Sequence, residues 1–282
     1  MPLFLLLIDV LNNFLTRLDQ MKIPIYQVDA FTHQLFRGNP AAVYPLKEWL
    51  PDSLLQNIAA ENNLSETAFY VKNGERYDLR WFTPVAEVDL CGHATLASGH
   101  IIHLIESNPP NLLYFDTRSG ELTIEKNGDY LTLNFPQDEM TEVSLPAGIK
   151  DALNIVPDKT FKGKTDYMLV LQSQKEVEEL QPDFNLLSKV EARGVIVTAP
   201  GTDVDFVSRF FAPQCGINED PVTGSAHCTM VPYWSKILDK AQLSACQLSK
   251  RGGALQCKYQ GDRVELSGQA RLYLRGEIEI DR

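Results

Sequence analysis

The chain carries an internal echo. Arg80-Trp81-Phe82-Thr83-Pro84 reappears as Arg209-Phe210-Phe211-Ala212-Pro213. After each pentapeptide comes a loop with acidic residues, then a glycine turn that opens an apolar run. In the first half Cys91-Gly92-His93-Ala94-Thr95 leads into LASGHIIHLI, and in the second Thr223-Gly224-Ser225-Ala226-His227 leads into CTMVPYWSKIL. Matching strand–loop–helix units predict a duplication that gives two pseudo-symmetric lobes. Both runs are apolar almost all round, which suits helices wrapped inside a curled sheet rather than helices on a surface. Pro232 is expected to end or kink the second helix after its first turns.

Around these units the pattern is mostly β. Short apolar or alternating runs at 23–31, 68–71, 77–82, 112–115, 121–125 and 130–135 are bounded by Gly, Asn, Asp or Pro. A second set follows at 166–171, 194–199, 205–211, 256–259, 263–267 and 269–280. Residues 48–61 read as a helix opening near Pro51, and 174–180 and 182–189 as short helices. The fold class is α+β, with each lobe a curled, mostly antiparallel sheet or barrel around a central helix. The proline-punctuated stretch 136–157 is the expected crossing between a first lobe over 21–140 and a second over 141–269. Residues 1–20 read as an N-terminal extension.

With 282 residues, of which 44% are hydrophobic, the chain can bury a sizeable core. Its formal charge of −11 argues against nucleic acid and anionic membrane surfaces, because both need a basic face. Cys91, Cys215, Cys228, Cys246 and Cys257 form an odd set without a CxxC pair, so neither a disulfide framework nor a zinc ribbon is expected. A reducing, cytoplasmic setting follows from that reading. The apolar run from Leu3 to Ile8 is too short to span a bilayer, lacks a basic region before it and is interrupted by Asp9.

A helix N-terminus offers unpaired N–H groups and a partial positive charge to an anion. If the lobes face each other, the turns at Gly92–His93 and Gly224–Ser225 converge on one cleft and grip a small carboxylate. Proton transfer then needs a titratable group there. Glu66, flanked by Leu64, Ala68 and Phe69, is a candidate whose pKa desolvation would raise toward neutrality; the rival reading is a solvated loop charge beside a capping Ser65. His93 either relays a proton or is simply a helix-start histidine, and Asp220 before Pro221 either stabilises charge or shapes a turn. Cys91 is a possible alternative base of a two-thiol racemase, but Thr223 or Ser225 stands at the equivalent turn, so a symmetric thiol pair is broken. His100 and His103 share a helix face without a carboxylate at ligand spacing, so no metal is expected. No nucleotide-binding or nucleophile-elbow motif is present, so no cofactor is expected either.

Five motifs occur in order: Asp29-Ala30-Phe31-Thr32, Gly38-Asn39-Pro40-Ala41-Ala42-Val43, Ser65-Glu66-Thr67-Ala68-Phe69, Cys91-Gly92-His93-Ala94-Thr95 and Glu219-Asp220-Pro221-Val222-Thr223-Gly224-Ser225-Ala226. Together they resemble the phenazine-biosynthesis PhzF-like family from about Met21 to the C-terminus. The resemblance implies a diaminopimelate-epimerase-like fold in which the last strand, within 270–282, returns to the first lobe, and it implies a homodimer. It also implies a cofactor-independent isomerase of a small carboxylated molecule, with Glu66 as the acid/base and His93 and Asp220 in support. Asn39, Gly92, Gly224 and Ser225 would then border the substrate. The family's type enzyme isomerises trans-2,3-dihydro-3-hydroxyanthranilate. Cys91 stands where that enzyme has a small non-thiol residue, which leaves the substrate of this chain unnamed.

Overall fold

A computed structural model describes residues 20–281. The expected extension at 1–20 lies outside them except for Gln20, which opens the first strand. The first half contains β1 (Gln20–Ala30), β2 (Asn39–Leu46), α1 (Asp52–Asn62), β3 (Glu66–Asn73), β4 (Arg76–Phe82), β5 (Glu87–Val88), α2 (Gly92–Ile105), β6 (Leu112–Thr117), β7 (Gly120–Asn127) and β8 (Tyr130–Pro136). Then come β9 (Thr141–Glu142), α3 (Ala147–Leu153), β10 (Lys159–Lys162), β11 (Asp166–Val170), α4 (Gln174–Glu178), α5 (Phe184–Leu187), β12 (Gly194–Pro200) and β13 (Phe206–Phe211). The remainder is a 3₁₀ turn (Pro213–Cys215), α6 (Gly224–Leu238), β14 (Gln242–Gln247), β15 (Gly253–Tyr259), β16 (Arg263–Gly268) and β17 (Ala270–Asp281).

Strand pairing repeats between the halves. The order β1-β2-β3-β4-β6-β7-β8 runs antiparallel, parallel, antiparallel, parallel, antiparallel, antiparallel. The order β10-β11-β12-β13-β14-β15-β16 runs through the same sequence of directions. In both, the long helix follows the fourth strand. The final strands of the two series, β8 and β16, pair antiparallel and join the halves. The strand that follows each seven-strand series lies on the other half: β9 pairs with β10, and β17 pairs with β1.

The echo extends to side chains. Arg80 binds both oxygens of Glu87 at 2.7 and 2.8 Å and lies over the Phe82 ring at 5.1 Å. Arg209 binds both oxygens of Glu219 at 2.7 and 3.0 Å and lies over Phe211 at 4.9 Å. The acidic residue after each pentapeptide therefore straps the loop that leads to the helix.

Each half curls around its helix as the apolar sequence requires. Ala94, Leu96, Ala97, Ile101 and Ile102 of α2 and Ala226, Met230, Val231 and Trp234 of α6 are buried in one shared core with Phe115, Leu133, Phe206 and Leu266. Satellite cores lie under α1, around Tyr44 and Phe69, and under α3 to α5, around Leu169 and Phe211. None of the described helices is long and apolar enough to cross a membrane.

Several local expectations need correction. Residues 48–51 are outside the first helix, which starts at Asp52 after Pro51. The segment from Asn39 is not only a turn but the strand β2, and β14 is a strand that alternation did not mark. Pro232 does not end α6, which runs to Leu238. The carbonyl that Pro232 leaves without a helical donor is that of Cys228, and it accepts instead from the Asp138 N–H at 3.2 Å. The segment after β8 thus repairs the helix it crosses.

Candidate active site

The two long helices meet at their N-terminal glycines. A Cβ placed on Gly92 would lie 3.7 Å from the Gly224 Cα, and the converse distance is also 3.7 Å. Both first turns, with their unpaired N–H groups, are therefore held side by side. The cap positions are Cys91 and Thr223, both in extended conformation and neither giving a side-chain cap bond.

Glu66 is the first residue of β3, two strands from β1 and in parallel register with Ala41 of β2. Its Oε2 lies 3.3 Å from Nε2 of His93, with 17% of the Glu66 side chain exposed. Burial above all, then the negative charge of Asp220, pushes the Glu66 carboxyl up to about 8, while a hydrogen bond from the Cys91 thiol and the charge of Arg193 pull the other way. Burial likewise raises Asp220 to about 6, against hydrogen bonds from Thr223 and Asn39. Of the two acids Glu66 is raised further, so Asp220 is the first to lose its proton as pH rises.

Asn39 links the halves. Its Nδ2 donates to Asp220 Oδ1 at 2.8 Å and to the Val222 carbonyl at 3.0 Å, and lies 3.2 Å from Nδ1 of His93. The amide orientation is fixed, because its oxygen in that place would face a carboxylate and a carbonyl. The Asn39 amide nitrogen cannot accept a hydrogen bond, so this contact favours the tautomer with the imidazole proton on Nε2, the nitrogen beside Glu66. Burial lowers His93 to about 3, so the ring is neutral. Among the described residues, its Nε2 and the Oδ1 of Asn39 are buried without hydrogen-bond partners.

Local chemistry explains how the motifs build this arrangement. Asp29 accepts from the Phe36 N–H at 2.9 Å and from Arg251 at 2.6 Å, and Arg251 donates to the Gly38 carbonyl at 2.8 Å. Gly38 adopts φ +66°, and a Cβ there would sit 2.1 Å from the Ala30 carbonyl oxygen, so glycine is required to turn the chain into Asn39. Thr223 Oγ1 donates to Asp220 Oδ2 at 2.5 Å. Gln247, fully buried, accepts from the Thr223 N–H at 2.9 Å and donates to the Asp220 carbonyl at 2.7 Å.

Glu66, His93, Asp220 and Asn39 are therefore brought together with Gly92 and Gly224. Ser225 stands one residue further on α6 and accepts from Arg193 Nη2 at 3.0 Å. Cys91 lies beside the group, its Sγ 3.6 Å from Nδ1 of His93, and burial with the Glu66 charge holds its thiol well above the ordinary range. A buried neutral thiol is a poor base. Glu66, Cys91 and His93 are also the residues among those described whose donor atoms, within 4.8 Å of one another, are near enough to hold a cation. Such a cation would first have to displace the protons on the thiol and the carboxyl. Sequence reasoning missed Arg193, Thr223 as a hydrogen-bond donor, and Gln247. Only Thr223 carried a signal, as the counterpart of Cys91 at the second helix start.

Comparison with known proteins followed the same lines. The family model described as phenazine biosynthesis-like protein matches residues 28–276. An uncharacterized isomerase of Pseudomonas aeruginosa is 48% identical over 92% of this chain and 100% of its own length. One from Halalkalibacterium halodurans is 48% identical over 92% and 99%. A crystal structure of a phenazine biosynthesis protein of the PhzF family from Enterococcus faecalis is 47% identical, covers 92% of this chain and 99% of its own, and superposes with a TM-score of 0.89.

Proposed function

The chain belongs to the phenazine biosynthesis-like family and is an isomerase-type enzyme, and on that premise we propose that Glu66 moves a proton between two positions of one small carboxylated substrate. The observation that carries this reading is the Glu66–His93 approach at 3.3 Å beside the paired first turns of α2 and α6.

The substrate carboxylate binds the N–H groups at Gly92 and Gly224, where two partial positive charges add. The ionised form of Glu66 removes a proton from a carbon that the bound group activates, and the electron pair delocalises into that group. The resulting Glu66 carboxylic acid returns the same proton to another carbon of the same molecule. Atoms and electrons balance within the substrate, so the step draws on no cofactor. The Nε2–H of His93 stabilises the carboxylate or the negative charge that develops next to it. Asp220 stays ionised and, through Asn39, fixes the imidazole tautomer.

Cys91 donates a hydrogen bond to Glu66 in this scheme and is not the base. The test is NMR in deuterated water with each small carboxylate that raises the melting temperature, wild type beside Glu66→Gln. Exchange of a carbon-bound proton in wild type alone supports the proposal. Exchange surviving in Glu66→Gln and lost in Cys91→Ala would transfer the role to the thiol.

A further inference from the structure

Arg193, in the segment before β12, is built into the site with an edge to spare. Its Nε donates to Asp166 Oδ1 at 2.9 Å and its Nη2 to Asp166 Oδ2, and Asp166 itself is 2% exposed. Nη2 also donates to the Ser225 hydroxyl at 3.0 Å, one residue beyond the glycine at which α6 touches α2. The guanidinium stands 5.4 Å from the centre of the Phe210 ring, a member of the repeated pentapeptide. These contacts hold the group rigidly from three sides.

They also leave a donor face unused. A guanidinium has five N–H donors in a planar fork, and no hydrogen bond from Nη1 occurs among the described residues, while 37% of the side chain reaches solvent. Arg193 is close enough to Glu66 and Asp220 for its charge to oppose the rise in both carboxyls. A fixed cation with a free pair of donors beside an anion-binding helix start matches the geometry of an oxyanion. If Asp166 needed only a counter-charge, a lysine would supply it without the spare fork.

We infer that Arg193 is a specificity residue whose free Nη1 edge binds a second oxyanionic group, so that the substrate carries two anionic groups: one on the helix starts and one on Arg193. This rests on the proposed function for the first of the two groups. The second group is a carboxylate or a phosphate-type oxyanion, and two arms of the test separate these.

The probes are the dicarboxylates from malonate to adipate, the monocarboxylates from propionate to hexanoate, and 3-phosphonopropionate as the phosphorus counterpart of succinate. Affinities are measured by calorimetry for wild type, Arg193→Lys and the pair variant Arg193→Met/Asp166→Asn, which removes both members of the ion pair and leaves no unpaired buried charge. Wild type is expected to bind a dianion at least about tenfold more tightly than the monocarboxylate of equal length. In the pair variant that ratio falls to about one, whatever the change in monocarboxylate affinity itself, and Arg193→Lys lies between. A wild-type ratio near one, or a ratio that survives in the pair variant, overturns the inference. Proton exchange at Glu66 on monocarboxylates without any dianion preference would overturn it alone and leave the isomerase reading standing.

Discussion

The side-chain amide of Asn39 donates to the carboxylate of Asp220 at 2.8 Å and so ties the first half of the chain to the second. The same nitrogen is 3.2 Å from His93 Nδ1, so the charge on Asp220 is passed on as an orientation of the imidazole. Replacing Asn39 by Ala is expected to lower kcat/KM by about a hundredfold, the usual cost of misplacing a reacting group by an ångström. The readout is the rate of carbon-bound proton exchange, with circular dichroism confirming the fold. An unchanged rate would mean that His93 needs no orienting partner.

The pH dependence follows from the two separated acids. Glu66 must be ionised to accept a proton, so kcat/KM should rise with pH and level off above about 8. Removing the Asp220 charge by Asp220→Asn takes away the second cause of that elevation. The rising limb should then move to lower pH, yet stay above the ordinary carboxylate range, because burial is the larger cause. A limb that moves up, or does not move, would separate Asp220 from Glu66.

Stability carries the opposite signature. The folded state holds the Glu66 proton more tightly than the unfolded chain, so between about pH 4.5 and 8 the folded state binds more protons and stability declines as pH rises. Glu66→Gln cannot ionise and should be more stable than wild type at pH 8, on the order of 3 kcal/mol, with no difference near pH 4. Thermal denaturation across this range measures it. A variant less stable than wild type at pH 8 would contradict the burial of an ionisable Glu66.

Thiol chemistry gives an independent check on Cys91. Cys215 is exposed, whereas Cys91, Cys228 and Cys257 are buried with thiols held above their ordinary range. Iodoacetamide at pH 8 should label Cys215 first and leave those three protected until the fold opens. Mass spectrometry of the native protein reads the order. Rapid labelling of Cys91 would reveal a thiolate and favour its use as a base.

Gly38 tests the scaffold rather than the chemistry. With φ at +66° and a carbonyl oxygen 2.1 Å from any Cβ, Gly38→Ala should cost more than about 2 kcal/mol and displace Asn39. Urea denaturation gives the stability, and the exchange rate gives the second effect.

Much of this was legible in the sequence because it lies in short, local patterns. The repeated Arg-aromatic-aromatic segment marked β4 and β13, and the glycine starts marked α2 and α6. Glu66, His93, Asp220 and Asn39 sit in contiguous motifs, so their residues were visible, although not the 3.3 and 2.8 Å approaches between them. Arg193 and Gln247 left no trace, since each is held at the site by partners far away in the chain, Arg193 by Asp166 and Ser225 and Gln247 by Thr223 and Asp220. That Pro232 does not end its helix has a related reason: the donor that replaces its missing bond is Asp138, from a different segment. β2 was hidden by its own Gly-Asn-Pro start, which reads as a turn but leads directly into pairing with β1.

The exchange of closing strands bears on the engineering of the chain. Gln20 faces Asp281 across the β1–β17 pair, so the two ends of the described chain are neighbours. The described chain is thus almost a ring, in which two equivalent arcs each lend a finger to the other. Joining the ends of the described chain and cutting between β9 and β10 would give a permuted protein with the order of the arcs reversed and the same partners for every strand. Either arc made alone would lack the strand that closes its edge and would leave that edge open to pairing with another chain.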